Sequence, residues 1–370
     1  MTEPSDAGEG GRGGRRRGAM LKRAASYTEA SPASKGKVAL KQIPEEEQIE
    51  ILTEDQDSDA TRFERERKIQ NRKKGKTHLS KNYRVKKAGK SRQALRREVA
   101  LNTLKMMTSI TKANGVLLPG LSYSVNIEDI PPLDLENNAN AKPHAVTTVK
   151  VARQDVFDIA LMLQSATEFL GAEAGQRICV LNLTNPDAPG GLWREGAEGQ
   201  EAEMFYRSTL SKALLPKYYP FPDRTANCVY TPNVVIFKEC GDFDYSKMRV
   251  EMPEALPHVG IISVSMPEKP AVDMFDSQYK DPADREITKN YMRLILRVAA
   301  STHHGFLVLN ALGSGNAGHP GREVANCWLQ VLNEGEFKGW FHTIVFAIKY
   351  DRIAASDYTH IWKRNMEIKY

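Results

Sequence analysis

The chain has 370 residues, 41% of them hydrophobic and 26% charged, which is an ordinary composition for a soluble globular protein. No apolar run approaches the ~18 residues that a membrane-spanning helix needs, and the opening MTEPSDAGEGGRGG lacks the apolar centre of a signal peptide. We therefore expect an intracellular protein, in the nucleus or cytoplasm, with no membrane partner.

The net charge of +6 is distributed very unevenly. Residues 61–97 carry sixteen Lys or Arg against Glu64 and Glu66, so this basic block has a charge of +14 and the rest of the chain sums to −8. Residues 1–90 are rich in blocks of like charge and poor in aromatic residues, which predicts a disordered, charge-segregated tail. Nonspecific nucleic acid is the partner that its basic block suggests.

Four cysteines, Cys179, Cys228, Cys240 and Cys327, lie far apart without a CxxC pair. This spacing favours reduced, mostly buried thiols over a disulfide framework or a zinc site. No metal and no cofactor is expected.

Residues 91–146 are predicted to form a helical and irregular extension that precedes the core. Ser91 is a plausible N-cap for a helix that runs to about Thr111, because Leu95, Val99, Met106 and Ile110 fit one apolar face. Residues 113–146, rich in Pro and Asn, read as a loop with short extended pieces.

Strands and helices then alternate through the core, residues 147–370. Strands are predicted at 147–152, 178–184, 234–238, 260–265, 306–311 and 343–349. Helices are predicted at 154–170, from about Gln200 to Leu214, at 284–301 and from Pro320, with an irregular segment over 215–233. Because the strands are continuous apolar runs, we expect an α/β fold whose sheet is covered by helices on both faces.

Two glycine-rich loops directly follow apolar strands. The first, ICVLNLTNPDAPGG, ends at Gly190 and Gly191, and the second, FLVLNALGSGNAG, contains Gly313, Gly315 and Gly318. Such loops expose backbone amides that bind anions, and at the carboxyl ends of strands in one sheet they would frame a nucleotide-binding crevice. A GxGxxG match without a following βαβ unit disfavours a Rossmann domain, and no GxxxxGK[ST] is present.

The stretch LNLTNPDAPGGLWREGAEGQEAEMFYRSTL resembles the signature of microbial-type poly(ADP-ribose) glycohydrolases (PARG). That family carries an Asn-x-x-Asn strand end, a Pro-Gly-Gly-Gly loop, a Gln-Glu-Glu motif and an Arg-Ser-x-Leu helix. The resemblance continues through VYTPNVVIFKECGD, GIISVSMPE and VLNALGSGNAGHPGREVANCW, over roughly residues 91–350. It implies a macrodomain-like three-layer α/β/α sandwich with a mixed sheet that binds ADP-ribose, poly(ADP-ribose) or an ADP-ribosylated protein.

The resemblance also implies the residues of the site. Those expected to contact ADP-ribose are Asn182, Asn185, Gly190, Gly191, Gln200, Gly313, Ser314, Gly315, Asn316 and Gly318. Three positions depart from the family pattern: Leu192 replaces the third loop glycine, Ala317 replaces an aromatic residue of the second loop, and Ala202 replaces the second glutamate of Gln-Glu-Glu.

Ala202 bears directly on the chemistry. Cleavage of a ribose–ribose bond needs a carboxylic acid that protonates the leaving oxygen, and the family assigns that task to the second glutamate. Glu201 and Glu203 are the candidate substitutes, but successive helical positions are about 100° apart, so the two point to different sides of Ala202.

Three functions therefore remain open. The chain is an ADP-ribose-binding macrodomain of microbial PARG type with impaired catalysis, or an active glycohydrolase that uses Glu203 or Glu201. Alternatively, it is a nucleic-acid-interacting protein in which a degenerate macrodomain serves as a scaffold.

Overall fold

The computed structural model describes residues 91–115, 122–134, 144, 146–169, 177–273, 277–363 and 367–369. The tail 1–90 and most of the basic block lie outside the described residues, so their disorder and their nucleic-acid binding stay predictions. No helix of the described ranges is long and apolar enough to cross a membrane.

The described part of the chain contains seven α-helices and eight β-strands. The helices are α1 (Arg92–Ala113), α2 (Val156–Phe169), α3 (Gln200–Arg207), α4 (Leu210–Ala213), α5 (Pro282–Ser301), α6 (Gly321–Leu332) and α7 (Arg352–Trp362). The strands are β1 (Tyr123–Asn126), β2 (Val146–Ala152), β3 (Ile178–Leu183), β4 (Asn227–Val235), β5 (His258–Val264), β6 (Phe306–Leu309), β7 (Thr343–Ala347) and β8 (Glu367–Lys369).

The strands form one mixed sheet in the order β1-β4-β5-β3-β6-β7-β2-β8. The five central strands, from β5 to β2, are mutually parallel, and antiparallel strands flank them on both sides. Val180 of the central strand β3 lies opposite Ile261 on one side and Val308 on the other. The carboxyl ends of the parallel strands therefore meet at one edge.

Helices cover both faces of this sheet. Cys179 and Leu181 of β3 belong to a buried cluster that includes side chains of α5, α6 and α7. Ile178 and Val180 alternate with them and belong to the opposite cluster, with side chains of α2 and α3. The predicted α/β/α sandwich with a mixed sheet is thus confirmed, and all four cysteines are buried free thiols as predicted.

The helix predicted from Gln200 to Leu214 is in fact two helices. Ser208 is extended, with φ −139° and ψ 179°, and forms an isolated antiparallel bridge with Ile236. Its hydroxyl donates to the Met204 carbonyl oxygen at 2.8 Å and accepts from the Leu210 amide at 3.2 Å. The Ser208 side chain thus takes the place of the helical backbone hydrogen bonds that are interrupted here.

The boundaries predicted for β4 were also wrong. The strand covers Asn227–Val235, whereas 215–233 was predicted as irregular because of its prolines. Pro232 lies within a register shift between Thr231 and Val234, where Asn233 has φ +57°. A bulge of this kind is where a strand tolerates a proline that cannot donate to the ladder.

Sequence patterns did not reveal α7 and β8. Helix α7 begins after Asp351, whose side chain accepts from the Ala354 amide at 2.9 Å, and it buries Ala355, Tyr358 and Trp362. Helix α6 begins at Gly321 with Pro320 as its N-cap, one residue later than predicted. The division between an extension and a core at residue 147 stays a prediction, and β1 of the extension pairs with β4 of the core.

Candidate ligand-binding crevice

A crevice of about 580 Å³ lies at the carboxyl edge of the parallel strands. Residues that follow β2, β3, β5, β6 and β7 contribute to its walls, and both glycine-rich loops do so as well. Two sequence-separated loops therefore frame one cavity, as their positions after strands predicted.

The two glycines of the first loop differ in how closely other side chains pack on them. Gly190 has φ +75°, and a Cβ there would lie 2.5 Å from Cδ1 of Trp193 and 2.6 Å from Cδ1 of Phe205, so its hydrogen allows close packing of the loop on α3. Gly191 has φ +48°, and its nearest neighbour, Asn185, would be 3.6 Å from a Cβ. Next to them, the side chain of Leu192 is 70% exposed and lines the crevice.

Gln200, the first residue of α3, connects two strand ends. Its Nε2 donates to the Leu181 carbonyl oxygen at 2.8 Å, and its Oε1 accepts from Nδ2 of Asn310 at 2.9 Å. The Asn310 amide group also donates to the Leu181 carbonyl oxygen at 3.1 Å. The helix start is thus fixed to β3 and to the residue that follows β6.

Glu201 lines the crevice although its side chain is only 8% exposed. Its Oε1 accepts from the Thr184 hydroxyl at 2.5 Å and from Nδ2 of Asn182 at 3.4 Å, and its Oε2 accepts from the Asn185 amide at 3.0 Å. Burial raises the pKa of the Glu201 carboxyl, and these hydrogen bonds, that of Thr184 foremost, oppose the rise. The carboxyl group is held against the end of β3 and the first glycine loop.

The next two residues of α3 diverge. Ala202 is 5% exposed and contributes to the crevice wall. Glu203 is not among the lining residues, since its carboxylate accepts from the Gly241 amide at 3.1 Å and from the Tyr245 hydroxyl at 2.6 Å. Glu201 and Glu203 therefore point to different sides of Ala202, as the helical spacing predicted.

The second glycine loop turns tightly around His319. Gly313 has φ +70°, and a Cβ there would lie 2.7 Å from Cδ2 of His319, whose amide donates to the Gly313 carbonyl oxygen at 2.9 Å. At Gly315 a Cβ would meet nothing within 4 Å. Within the described residues, the amides of Gly315, Asn316 and Ala317 donate no hydrogen bond to the chain. Three successive amides are therefore available to an anion at the crevice wall.

Most of the residues that the sequence singled out meet at this crevice. Those that line it are Asn185, Gly190, Gly191, Gln200, Glu201, Gly313, Ser314, Gly315 and Asn316. Asn182 is buried behind the wall, where its Nδ2 donates to the Ser263 hydroxyl at 3.1 Å, and Gly318 and Glu203 are likewise outside the lining. The three departures Leu192, Ala202 and Ala317 all line it.

Sequence reasoning missed Asp155 and Tyr350, which also line the crevice. Oδ1 of Asp155 accepts from the Arg207 guanidinium at 2.6 Å, whereas the buried Oδ2 has no partner among the described residues. Burial raises the Asp155 pKa to about 6, while Arg207 opposes the rise. The Tyr350 side chain is 54% exposed at the crevice. Both residues follow parallel strands, so their positions just after predicted strands could have identified them as lining residues.

The lining carries an excess of carboxyl groups. Its acidic residues are Asp155, Glu198, Glu201, Glu268 and Asp351, whereas Lys349 is the one Lys or Arg among the described lining residues. In the described ranges no three His, Cys, Asp or Glu side chains are grouped closely enough to hold a metal ion. Backbone amides, with Lys349, are thus the groups here that favour an anion.

Comparison with known proteins agrees with these motifs. The family model described as the catalytic domain of microbial-type PARG matches residues 80–239. This span includes the first glycine loop and α3. The resemblance to the microbial-type PARG family is confirmed. No curated protein sequence matches the chain significantly.

Solved PARG structures share the fold. The poly(ADP-ribose) glycohydrolase of Thermomonospora curvata bound to the inhibitor ADP-HPD is 21% identical, with a TM-score of 0.56 over 73% of this chain and 98% of that one. The poly(ADP-ribose) glycohydrolase of Deinococcus radiodurans in complex with ADP-ribose is 20% identical, with a TM-score of 0.51 over 70% of this chain and 96% of that one. The fold is thus that of PARG catalytic domains.

Proposed function

We propose that the crevice binds ADP-ribose, either free or as a unit of poly(ADP-ribose) or of an ADP-ribosylated protein. The observation that carries this proposal is the row of three available amides at Gly315, Asn316 and Ala317, in a loop that faces a second family motif across one cavity. Amides in such a loop stabilise a diphosphate without a basic side chain.

The rest of the crevice offers complementary groups to the sugar and the base. Asn185 lies beside Gly191, and the Glu201 carboxyl accepts from the Asn185 amide. Both residues line the crevice and provide polar groups for ribose hydroxyls. The exposed ring of Tyr350 offers an aromatic face, which purines stack on.

The proposed site holds its ligand without cleaving it, because no carboxyl group occupies the position of the general acid. The methyl group of Ala202 has no proton to give, and Glu203 is bonded to Gly241 and Tyr245 outside the crevice. General acid catalysis typically accelerates such reactions by about 10²–10⁴-fold, so its loss leaves binding as the main activity.

Cleavage by Glu201 is the second candidate function. It is favoured by one observation: the Glu201 carboxyl lines the crevice and burial raises its pKa, as a proton donor at neutral pH requires. Against it, both carboxylate oxygens already accept hydrogen bonds from Thr184 and Asn185. These bonds give Glu201 a positioning function instead.

Calorimetry on the full chain with ADP-ribose tests the binding proposal. Gly315→Glu places an acidic side chain in the crevice without a clash in the fold, and Gly335→Glu is the matched control, since it is equally open and lies outside the crevice. We expect binding by the wild type and the control, and at least tenfold weaker binding by Gly315→Glu. Equal affinity in all three proteins, or no heat with the wild type, refutes the proposal.

Incubation with poly(ADP-ribose) separates the two candidate functions. We expect no release of ADP-ribose above background from the wild type. Release that is abolished in Glu201→Gln, while that variant still binds ADP-ribose, would establish the second candidate instead.

A further inference from the structure

Helix α1 is bonded to the segment that links the first glycine loop to α3. Nε2 of Gln93 and Nε of Arg97 donate to the Glu195 carbonyl oxygen at 3.0 Å and 2.9 Å. Nε of Arg96 donates to the Gly196 carbonyl oxygen at 2.8 Å. Gly196 has φ +85°, and a Cβ there would lie 2.3 Å from the Gln93 carbonyl oxygen. Only glycine permits so close an approach of α1 to this segment.

Two arginines of α1 also pair with carboxylates of the segment, and one of these pairs reaches the crevice. Arg96 pairs with Glu198 at 2.7 Å, and Glu198 lines the crevice. Arg97 pairs with Glu195 at 3.3 Å, and Glu195 is not among the lining residues. Both arginines thus make the same kinds of bond to the segment, but only Arg96 neutralises a carboxylate of the crevice wall.

The pair of Arg96 with Glu198 bears on the charge of the crevice more than on stability. The Arg96 side chain is 16% exposed and that of Glu198 is 68% exposed, and pairs with so exposed a partner contribute little to folding. Four further carboxyl groups and Lys349 line the crevice. An uncompensated Glu198 would therefore add to the repulsion of an anionic ligand, which acts over about 10 Å at 0.1 M salt.

We propose that Arg96 is a positioning residue of the crevice: it holds Glu198 and neutralises its charge, so that a diphosphate approaches the amides of the second glycine loop without that repulsion. This inference rests on the proposed function. It gives α1 a part in ligand binding although none of its described residues lines the crevice. The effect passes through Glu198 and is electrostatic, so salt weakens it.

Arg96→Gln in the full chain tests the inference, and Arg97→Gln is the matched control. Both variants lose a bond to a backbone carbonyl oxygen and a bond to a carboxylate, but the control frees a carboxylate outside the crevice lining. Calorimetry measures the dissociation constant of ADP-ribose at low and at high salt. Urea unfolding of each variant identifies any that does not fold.

We expect Arg96→Gln to bind ADP-ribose roughly fivefold more weakly at low salt, with a smaller difference at high salt. Arg97→Gln should match the wild type. The double variant Arg96→Gln/Glu198→Gln should return to within about twofold of the wild-type affinity, a rescue that a merely structural role of Arg96 does not predict. Equal binding by the two single arginine variants, or no rescue, overturns the inference and leaves the proposed function intact. If the wild type does not bind ADP-ribose, the proposed function fails and this inference with it.

Glu198→Gln tests the inference independently of whether Arg96→Gln folds. Arg96 then carries an uncompensated positive charge beside the crevice, so this variant should bind ADP-ribose more tightly than the wild type at low salt. Glu195→Gln is its control and should not differ from the wild type, since Glu195 does not line the crevice. Equal or weaker binding by Glu198→Gln would overturn the inference, because Glu198 would then not be a charge that Arg96 compensates.

Discussion

Replacement of Ala202 by glutamate tests whether one missing carboxyl group separates this crevice from a hydrolase. Ala202 is the third residue of α3, and its methyl group forms part of the wall of the 580 Å³ crevice. A longer side chain at this position therefore enters the cavity, which has room for it. The neighbouring Glu201 carboxyl raises the pKa of the new acid, whereas the positive end of α3 lowers it.

The size of the expected gain follows from the function of a general acid. A positioned proton donor contributes about 10²–10⁴-fold, which corresponds to about 3–5 kcal/mol of activation free energy. Ala202→Glu should therefore release ADP-ribose from poly(ADP-ribose) at least 10²-fold faster than the wild type. Because the acid must be protonated, this activity should decline as pH rises through the pKa of the new carboxyl group.

The assay follows released ADP-ribose by chromatography with the wild type, Ala202→Glu and the isosteric control Ala202→Gln. The glutamine fills the same space without an acidic proton, so it should stay inactive. If Ala202→Glu binds ADP-ribose as tightly as the wild type but is no faster than Ala202→Gln, the missing acid does not explain the loss of catalysis that we propose. Rapid release of ADP-ribose by the wild type would also refute the reasoning, because cleavage would then not need a carboxyl group at position 202.

Three further predictions concern the scaffold of the crevice. Because burial raises the Asp155 pKa from 3.8 to about 6, protonation stabilises the folded state, and this contribution is present below pH 3.8 and lost as pH rises through 6. Chemical unfolding from pH 4 to 7 should show a loss of about 3 kcal/mol in the wild type that Asp155→Asn lacks; parallel pH profiles would contradict this. Arg207→Met leaves Asp155 buried and unpaired and should cost about 3–5 kcal/mol in urea unfolding, an expectation that a cost below 1 kcal/mol would overturn. Gly190→Ala forces a Cβ to within 2.5 Å of Trp193 at positive φ and should lower the unfolding free energy by about 1–3 kcal/mol, whereas unchanged stability would show that the loop relaxes freely.

The regular elements near the centre of the fold could be predicted from the sequence because their patterns are local. Strands such as β3 and β7 are continuous apolar runs, and α1 begins after the predicted capping serine. The buried face of α1 was predicted less well, since of the four residues expected on it only Ile110 is buried. The path of β4 could not be predicted, because Pro232 suggests a loop in the sequence. The bulge that accommodates this proline is defined only by the pairing of β4 with β5. Likewise, the break at Ser208 depends on its bridge to Ile236, which no local pattern contains.

For the crevice, motifs predicted which loops meet but not which side chains face the cavity. Asn182 and Asn185 are three residues apart, yet the first is buried behind the wall and the second lines it. Asp155 carried no motif, and its place in the wall depends on the parallel pairing of β2 with β7. The direction of a side chain at a strand end is set by tertiary pairing, which the sequence does not display.

The structure gives a physical reason why two residues of the Gln-Glu-Glu motif are present when the third is not. Gln200 joins the Leu181 carbonyl oxygen to Asn310, and Glu201 accepts from Thr184 and the Asn185 amide, so both residues hold the crevice walls together without any ligand.

Ala202, by contrast, makes no side-chain hydrogen bond, and a glutamate in its place would project into the cavity, where it could act only on a ligand. Absence of that carboxyl group leaves the fold and the available amides of Gly315, Asn316 and Ala317 untouched. A protein under selection for binding alone would retain the first two residues of the motif and tolerate the loss of the third, which is the pattern that this chain has.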